Sequence, residues 1–150
     1  GDIESMPVTS NKADVILSNC VLNLVPNKHK VFSEIYRVLK PGAHFSISDI
    51  VLEGELPKDL KQAAEMYAGC VSGAIQKKDY LAIIEESGFE DIKVQKEKKI
   101  TIPDEILGQY LSADAVSAVQ KDTGIYSITV FAKKPAKDDR NCCEPGSGCC

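Results

Sequence analysis

Apolar residues along the chain fall into short β-branched runs separated by stretches with helical spacing. Residues 13–18 (ADVILS) are the first run, directly after the turn-forming Ser10, Asn11 and Lys12. They read as a buried strand whose inward face alternation does not assign. From Asn27, a suitable N-cap, Val31, Ile35, Val38 and Leu39 recur on one helical stripe, and Lys40-Pro41-Gly42 supplies the stop. Residues 43–51 (AHFSISDIV) have strand composition, with Phe45 and Ile47 on one face. Strand, helix and strand in succession make a βαβ unit, which joins parallel strands by a right-handed crossover.

Helical spacing returns over 59–67 and 78–87; in the second, Tyr80, Leu81 and Ile84 point inward and Gly88 is the stop. Residues 89–102 alternate in part, with Ile92, Val94, Ile100 and Ile102 around a charged stretch, 96–99. That pattern predicts a long strand with a solvated middle, ended by Pro103. A helix over 104–121, on Ile106, Tyr110, Val116 and Val119, precedes a last strand over 125–132 (IYSITVFA). The predicted order from residue 13 is β, α, β, α, α, β, α, β, an α/β chain. Beyond Lys133 the sequence turns polar, then rich in Cys, Gly and Pro, and is expected to form a flexible tail with too little apolar surface to fold alone.

Composition narrows the function classes. At 150 residues and 43% hydrophobic, the chain has enough apolar content for one domain with a core. A net charge of −4 with dispersed Lys and Arg offers no phosphate-collecting face, so nucleic acid is not an expected partner. No apolar run approaches the ~20 residues that span a bilayer, and the start GDIESMPVTS has no signal-peptide pattern. The expectation is a cytoplasmic protein with no membrane partner. In a reducing compartment its six cysteines point to soft-metal binding or catalysis rather than disulfides.

Those cysteines divide into two lone residues, Cys20 and Cys70, and two adjacent pairs, Cys142-Cys143 and Cys149-Cys150. Cys20 directly follows the first strand, and the carboxyl ends of parallel strands are where ligands gather in α/β sheets. A lone Cys is also a small hydrophobe suited to burial. Cys70 lies between Gly69 and Val71, small neighbours that suit either a bulky ligand or tight packing. The four tail thiols can chelate a soft ion without any fold, although their spacing matches no zinc pattern. His29 and His44 have no ligand-type neighbour, and the charges over 93–99 read as a solvated strand face.

GDIESMPV, then DVILSNCVLNL, a helix ending RVLKPG, a strand ending SD, then LP and YAGCVSGA together resemble the second half of arsenite S-adenosylmethionine methyltransferases. RVLKPG marks only the broad class I methyltransferases; SNCVLNL and YAGCVSGA are more specific. The resemblance implies the C-terminal half of a Rossmann-like class I sheet: its last four strands with flanking helices, the final strand antiparallel between its neighbours. It implies a partial methyltransferase domain over 1–134, without the glycine-rich cofactor-binding strands, and a Cys-rich tail over 135–150.

The same resemblance implies methyl transfer from S-adenosylmethionine to As(III), presented free or as thiol conjugates, with a thiol reductant as partner and detoxification as the role. Cys20 and Cys70 correspond to arsenic-binding thiolates, and Cys142, Cys143, Cys149 and Cys150 to a soft-metal-binding tail. Asp2 and Ile3 correspond to the pair that meets adenine, Asn19 and Val21 to positions at the sulfonium end, and Asp49 to the same rim. Such a transfer is an in-line displacement by a lone pair that already exists, so it needs positioning rather than a general base. An unpaired edge on strand 13–18 is a route to self-association. Two other readings stay open: a non-catalytic thiol-rich protein that sequesters As(III) or a similar ion, and a class I methyltransferase acting on a small organic substrate.

Overall fold

The computed structural model describes residues 1–54, 69–101 and 124–136. Four strands, β1 (Ala13–Asn19), β2 (Leu39–Glu53), β3 (Glu90–Lys99) and β4 (Gly124–Lys133), form one sheet in the order β1-β2-β4-β3. β1 and β2 are parallel, while β4 runs antiparallel to both of its neighbours. Helices α1 (Lys28–Val38) and α2 (Lys77–Glu86) flank the sheet. The expected α/β architecture, with the final strand reversed between two others, is therefore present. The expected helices over 59–67 and 104–121 and the tail cysteines lie outside the described residues.

Local chemistry accounts for the helix ends. Asn27 is extended and its side chain accepts from the Lys30 N–H at 3.0 Å, a cap that satisfies one orphan donor of the first turn. At the other end Leu39 is already extended and opens β2, so the helix stops before Lys40-Pro41-Gly42 rather than on it. Pro41 disfavours helical backbone at the residue before it, and Gly42 takes a φ of +80° where the chain turns into the sheet. Lys134 locks this corner. Its Nζ donates to Asn11 Oδ1 at 2.7 Å and to the Tyr36 and Leu39 carbonyls at 3.0 Å each.

The core lies between one face of the sheet and the two helices. Phe45, Ile47 and Val51 of β2 and Ile128, Val130 and Ala132 of β4 pack against Val31, Phe32 and Ile35 of α1 and Tyr80, Ile83 and Ile84 of α2. Phe32 meets Phe45 at 5.8 Å and the edge of Tyr80 at 5.6 Å, and Phe89 stands edge-on to Phe45 at 4.9 Å. Burying each such ring contributes roughly 1.5–3 kcal/mol, with a further increment from edge-to-face geometry. β3 carries the solvated stretch read from its charges, exposed over most of its length.

Two expectations need correction. The run over 13–18 is not buried: β1 is the last strand of the sheet on its side, and Val15 and Leu17 are 46% and 75% exposed. Among the described residues, no strand pairs with its outer edge. Asp49, expected on a rim at a strand end, is fully buried well inside β2, opposite Ile128 of β4. Its alternation with Ile47 and Val51 points it into the core face.

Candidate functional site

At the carboxyl end of β1 the ladder runs one residue past the strand, because the Cys20 N–H donates to the Ser48 carbonyl at 2.8 Å. Cys20 then takes a φ of +55°, which a non-glycine residue adopts at a cost of about 1 kcal/mol or more. That kink throws the chain into a single 3-10 turn, Leu22–Leu24. Leu22 is fully buried and anchors the turn, which leaves Val21 and Leu24 exposed and the Cys20 thiol half-buried. Asn19, at the strand end, is exposed. Asn19, Cys20 and Val21 thus share one corner at the end of β1.

The second cysteine context builds a similar turn. Gly69–Val71 is a 3-10 turn with Val71 as its buried anchor, and it contains Cys70, of which the structure describes the backbone. The chain beyond it is tied to the end of β2, since the Leu52 N–H donates to the Ile75 carbonyl at 2.9 Å. The two turns touch. Lys28, at the start of α1, donates from Nζ to the Gly73 carbonyl at 2.8 Å, and Asn23 donates from Nδ2 to the Ile50 carbonyl at 2.7 Å.

Beneath the turns lies a buried polar cluster. Tyr80 donates its hydroxyl to Asp49 Oδ2 at 2.9 Å, while Asp49 Oδ1 and Asn23 Oδ1 have no hydrogen-bond partner among the described residues. Burial pushes the Asp49 carboxyl up to about 6, against the opposing pull of the Tyr80 hydrogen bond and of the Lys28 charge. Burial and then the Asp49 charge hold the Tyr80 hydroxyl well above its usual range, and the Cys20 thiolate adds to this. Burial lowers Lys28, and Asp49 partly restores it.

Asp2 and Ile3 sit in a tight turn, in which Asp2 Oδ1 accepts the Glu4 N–H at 2.8 Å and the Asp2 carbonyl accepts the Ser5 N–H at 3.1 Å. Glu4 in turn accepts the Asn27 N–H at 3.1 Å. This pins the turn to the start of α1, the end of the helix that faces the carboxyl end of β1. Asp2 is exposed and Ile3 half-buried against the core. The first segment and the Cys20 corner therefore lie at one end of the sheet. His29 is an exposed surface residue 3.8 Å from Glu86, and His44 stacks on Phe131 at 5.0 Å. Among the described residues, no three His, Cys, Asp or Glu side chains cluster to hold a metal ion.

Reading the sequence singled out the cysteines but passed over Asn23, Lys28 and Gly73. Asn23 and Gly73 were inside the two quoted contexts, three residues after each cysteine, so the matching spacing was the available signal.

A parallel βαβ unit followed by a reversed last strand, with a left-handed residue at the carboxyl end of β1, defines a Rossmann-like class I α/β domain. The methyltransferase domain family matches residues 1–88, which span both cysteine turns, and the chain belongs to that family. It is 38% identical over 141 residues to an arsenite methyltransferase of Halobacterium salinarum, covering 93% of this chain and 34% of that protein. An arsenite methyltransferase of Mus musculus is 40% identical over 82 residues, covering 55% of this chain and 22% of that one. The crystal structure of an arsenic (III) S-adenosylmethionine methyltransferase from Chlamydomonas reinhardtii superimposes with a TM-score of 0.70 at 30% identity, over 90% of this chain and 43% of that one. The chain spans about a third of the length of the curated relatives it matches first.

Proposed function

We propose that this chain is part of an S-adenosylmethionine-dependent methyltransferase whose substrate is As(III) held by the thiolates of Cys20 and Cys70. The observation that carries the reading is the contact between the 3-10 turn that follows Cys20 and the 3-10 turn that contains Cys70, at the carboxyl end of the parallel strands and within the stretch matched to the family. Thiolates select soft centres, and As(III) bound by sulfur keeps a lone pair for attack. Residues 1–134 are read as a partial methyltransferase domain and 135–150 as a Cys-rich tail.

S-adenosylmethionine, when bound, supplies an electrophilic methyl group on a sulfonium. The residues present fit it. Asp2 offers an exposed carboxylate oriented by the Glu4 N–H, suited to accept from the exocyclic amine of adenine, and Ile3 gives a half-buried apolar surface beside it. Asn19 and Val21, exposed on either side of Cys20, would line the sulfonium end. The work of the chain is then to hold arsenic in line with the methyl group. No side chain need remove a proton, and the unfavourable backbone at Cys20 fixes the direction from which the thiolate presents its ligand.

Titration of the chain with sodium arsenite, in a phosphine reductant that does not compete as a thiol would, tests the reading. Cys20→Ser and Cys70→Ser should each abolish the tight site. Binding that survives both substitutions would instead assign arsenite to Cys142, Cys143, Cys149 and Cys150, the sequestering alternative.

A further inference from the structure

We propose that Gly73, with Asn23 and Lys28, is the positioning joint that sets how the turn after Cys20 and the turn that contains Cys70 face each other. The proposal rests on reading Cys20 and Cys70 as the arsenic thiolates, and it concerns residues that touch neither arsenic nor cofactor. Gly73 is the point where the turns meet. A Cβ added there would overlap the Asn23 carbonyl oxygen and lie 2.8 Å from its carbonyl carbon. Non-bonded carbons settle at about 3.5 Å or more. The obstacle is backbone, so no rotamer change relieves it. Gly73 is required here for close approach rather than for an unusual φ.

The joint is held from both sides. The Lys28 Nζ bond to the Gly73 carbonyl ties the second turn to the first residue of α1. The Asn23 Nδ2 bond to the Ile50 carbonyl ties the first turn to β2. Asn23 follows Cys20 by three residues, as Gly73 follows Cys70, so each contact point lies one short turn from its thiol. A displacement at the joint therefore shifts the two turns relative to each other. Coordination distances tolerate only about 0.2 Å. Opening the joint to admit a methyl group exceeds that tolerance, and a shared two-thiolate site loses closure while each thiol stays intact.

The test compares two glycine substitutions flanking the same cysteine. Gly69 adjoins Cys70 in sequence, yet a Cβ there meets nothing within 4 Å. In a full-length chain whose four tail cysteines are serine, arsenite affinity is measured beside the thermal midpoint and the rate of Cys20 alkylation by iodoacetamide. Gly73→Ala should weaken arsenite binding by about tenfold or more, the usual effect of disturbing groups that support ligands. Gly69→Ala should bind as the unsubstituted chain does, and the alkylation rate should hardly change in either. Lys28→Met removes the tether without adding an atom at the joint, and should weaken binding in the same direction even where Gly73→Ala folds poorly. Equal affinity in Gly73→Ala and Gly69→Ala, or undiminished affinity in Lys28→Met, overturns the proposal. Arsenite binding indifferent to Cys20→Ser and Cys70→Ser would overturn the functional reading itself, and the two failures are told apart by these serine variants.

Discussion

Replacing Asp49 by Asn should flatten the pH dependence of stability. The Asp49 carboxyl is fully buried, accepts one hydrogen bond from Tyr80, and is raised from 3.8 to about 6. Because the folded-state value lies above the unfolded one, the contribution to stability is fully present below about pH 4 and is lost as pH rises through 6. Once the group is fully ionised the native state is disfavoured by on the order of 3 kcal/mol. At pH 5 the folded-state carboxyl is mostly protonated while the unfolded one is still mostly charged, so on the order of 1 kcal/mol of that is recovered between pH 8 and pH 5. Glu34 acts in the opposite sense, since its bond to Arg37 lowers it and its contribution fades as pH falls. That term is common to both proteins and cancels in their difference. Urea unfolding at pH 5 and pH 8 should give Asp49→Asn a gain on acidification smaller than the wild-type gain by on the order of 1 kcal/mol, equivalent to roughly 2–4 °C in Tm. Equal gains in the two proteins would show that Asp49 does not titrate where its burial requires.

Three further outcomes follow from the packing. Lys134→Met should destabilise the chain by roughly 2–4 kcal/mol in urea unfolding, because it leaves the Tyr36 and Leu39 carbonyls and Asn11 Oδ1 without their buried donor; a loss under 0.5 kcal/mol would refute this. Asn27→Ala removes the side-chain cap on Lys30 N–H and should cost about 1 kcal/mol by the same measurement, while Asn27→Ser should keep most of it. Leu17, three-quarters exposed on the outermost strand, should promote edge association at high concentration; sedimentation should show a lower average mass for Leu17→Lys than for the wild type, and two identical monomers would dispose of the idea.

Much of the fold was legible from local signals. Asn27 capped the helix it was expected to cap, the stripe of Val31, Ile35, Val38 and Leu39 is buried throughout, and Gly88 ends α2 at a φ of +92°. Those features depend on neighbours within a turn or two, and period and capping encode them directly. The misread strand depends on distant partners. An apolar, β-branched run such as 13–18 reports what a strand is suited to, while burial depends on what stands beside it. Asp49 failed for the same reason: alternation with Ile47 and Val51 aimed it inward, but only the arrival of Tyr80 and Lys28 from two other elements makes that position tolerable.

The site divides along similar lines. Cys20 and Cys70 were visible because their contexts are distinctive, whereas the joint between their turns joins residues 23 and 73 through a backbone contact that leaves no compositional trace. A glycine whose role is to be absent at Cβ looks in sequence like any loop glycine. Gly69 shows the difference, since it lies closer to the same cysteine and faces open space. Asp49 and Asn23 have buried oxygens without a hydrogen-bond partner among the described residues, an arrangement that apolar residues of similar size would make more stable. The sheet carries that cost where β2, the two cysteine turns and α2 converge, as it carries the left-handed backbone at Cys20. A left-handed residue at the end of β1, beside buried polar oxygens unpartnered among the described residues, is a pattern expected of a functional site rather than of core packing.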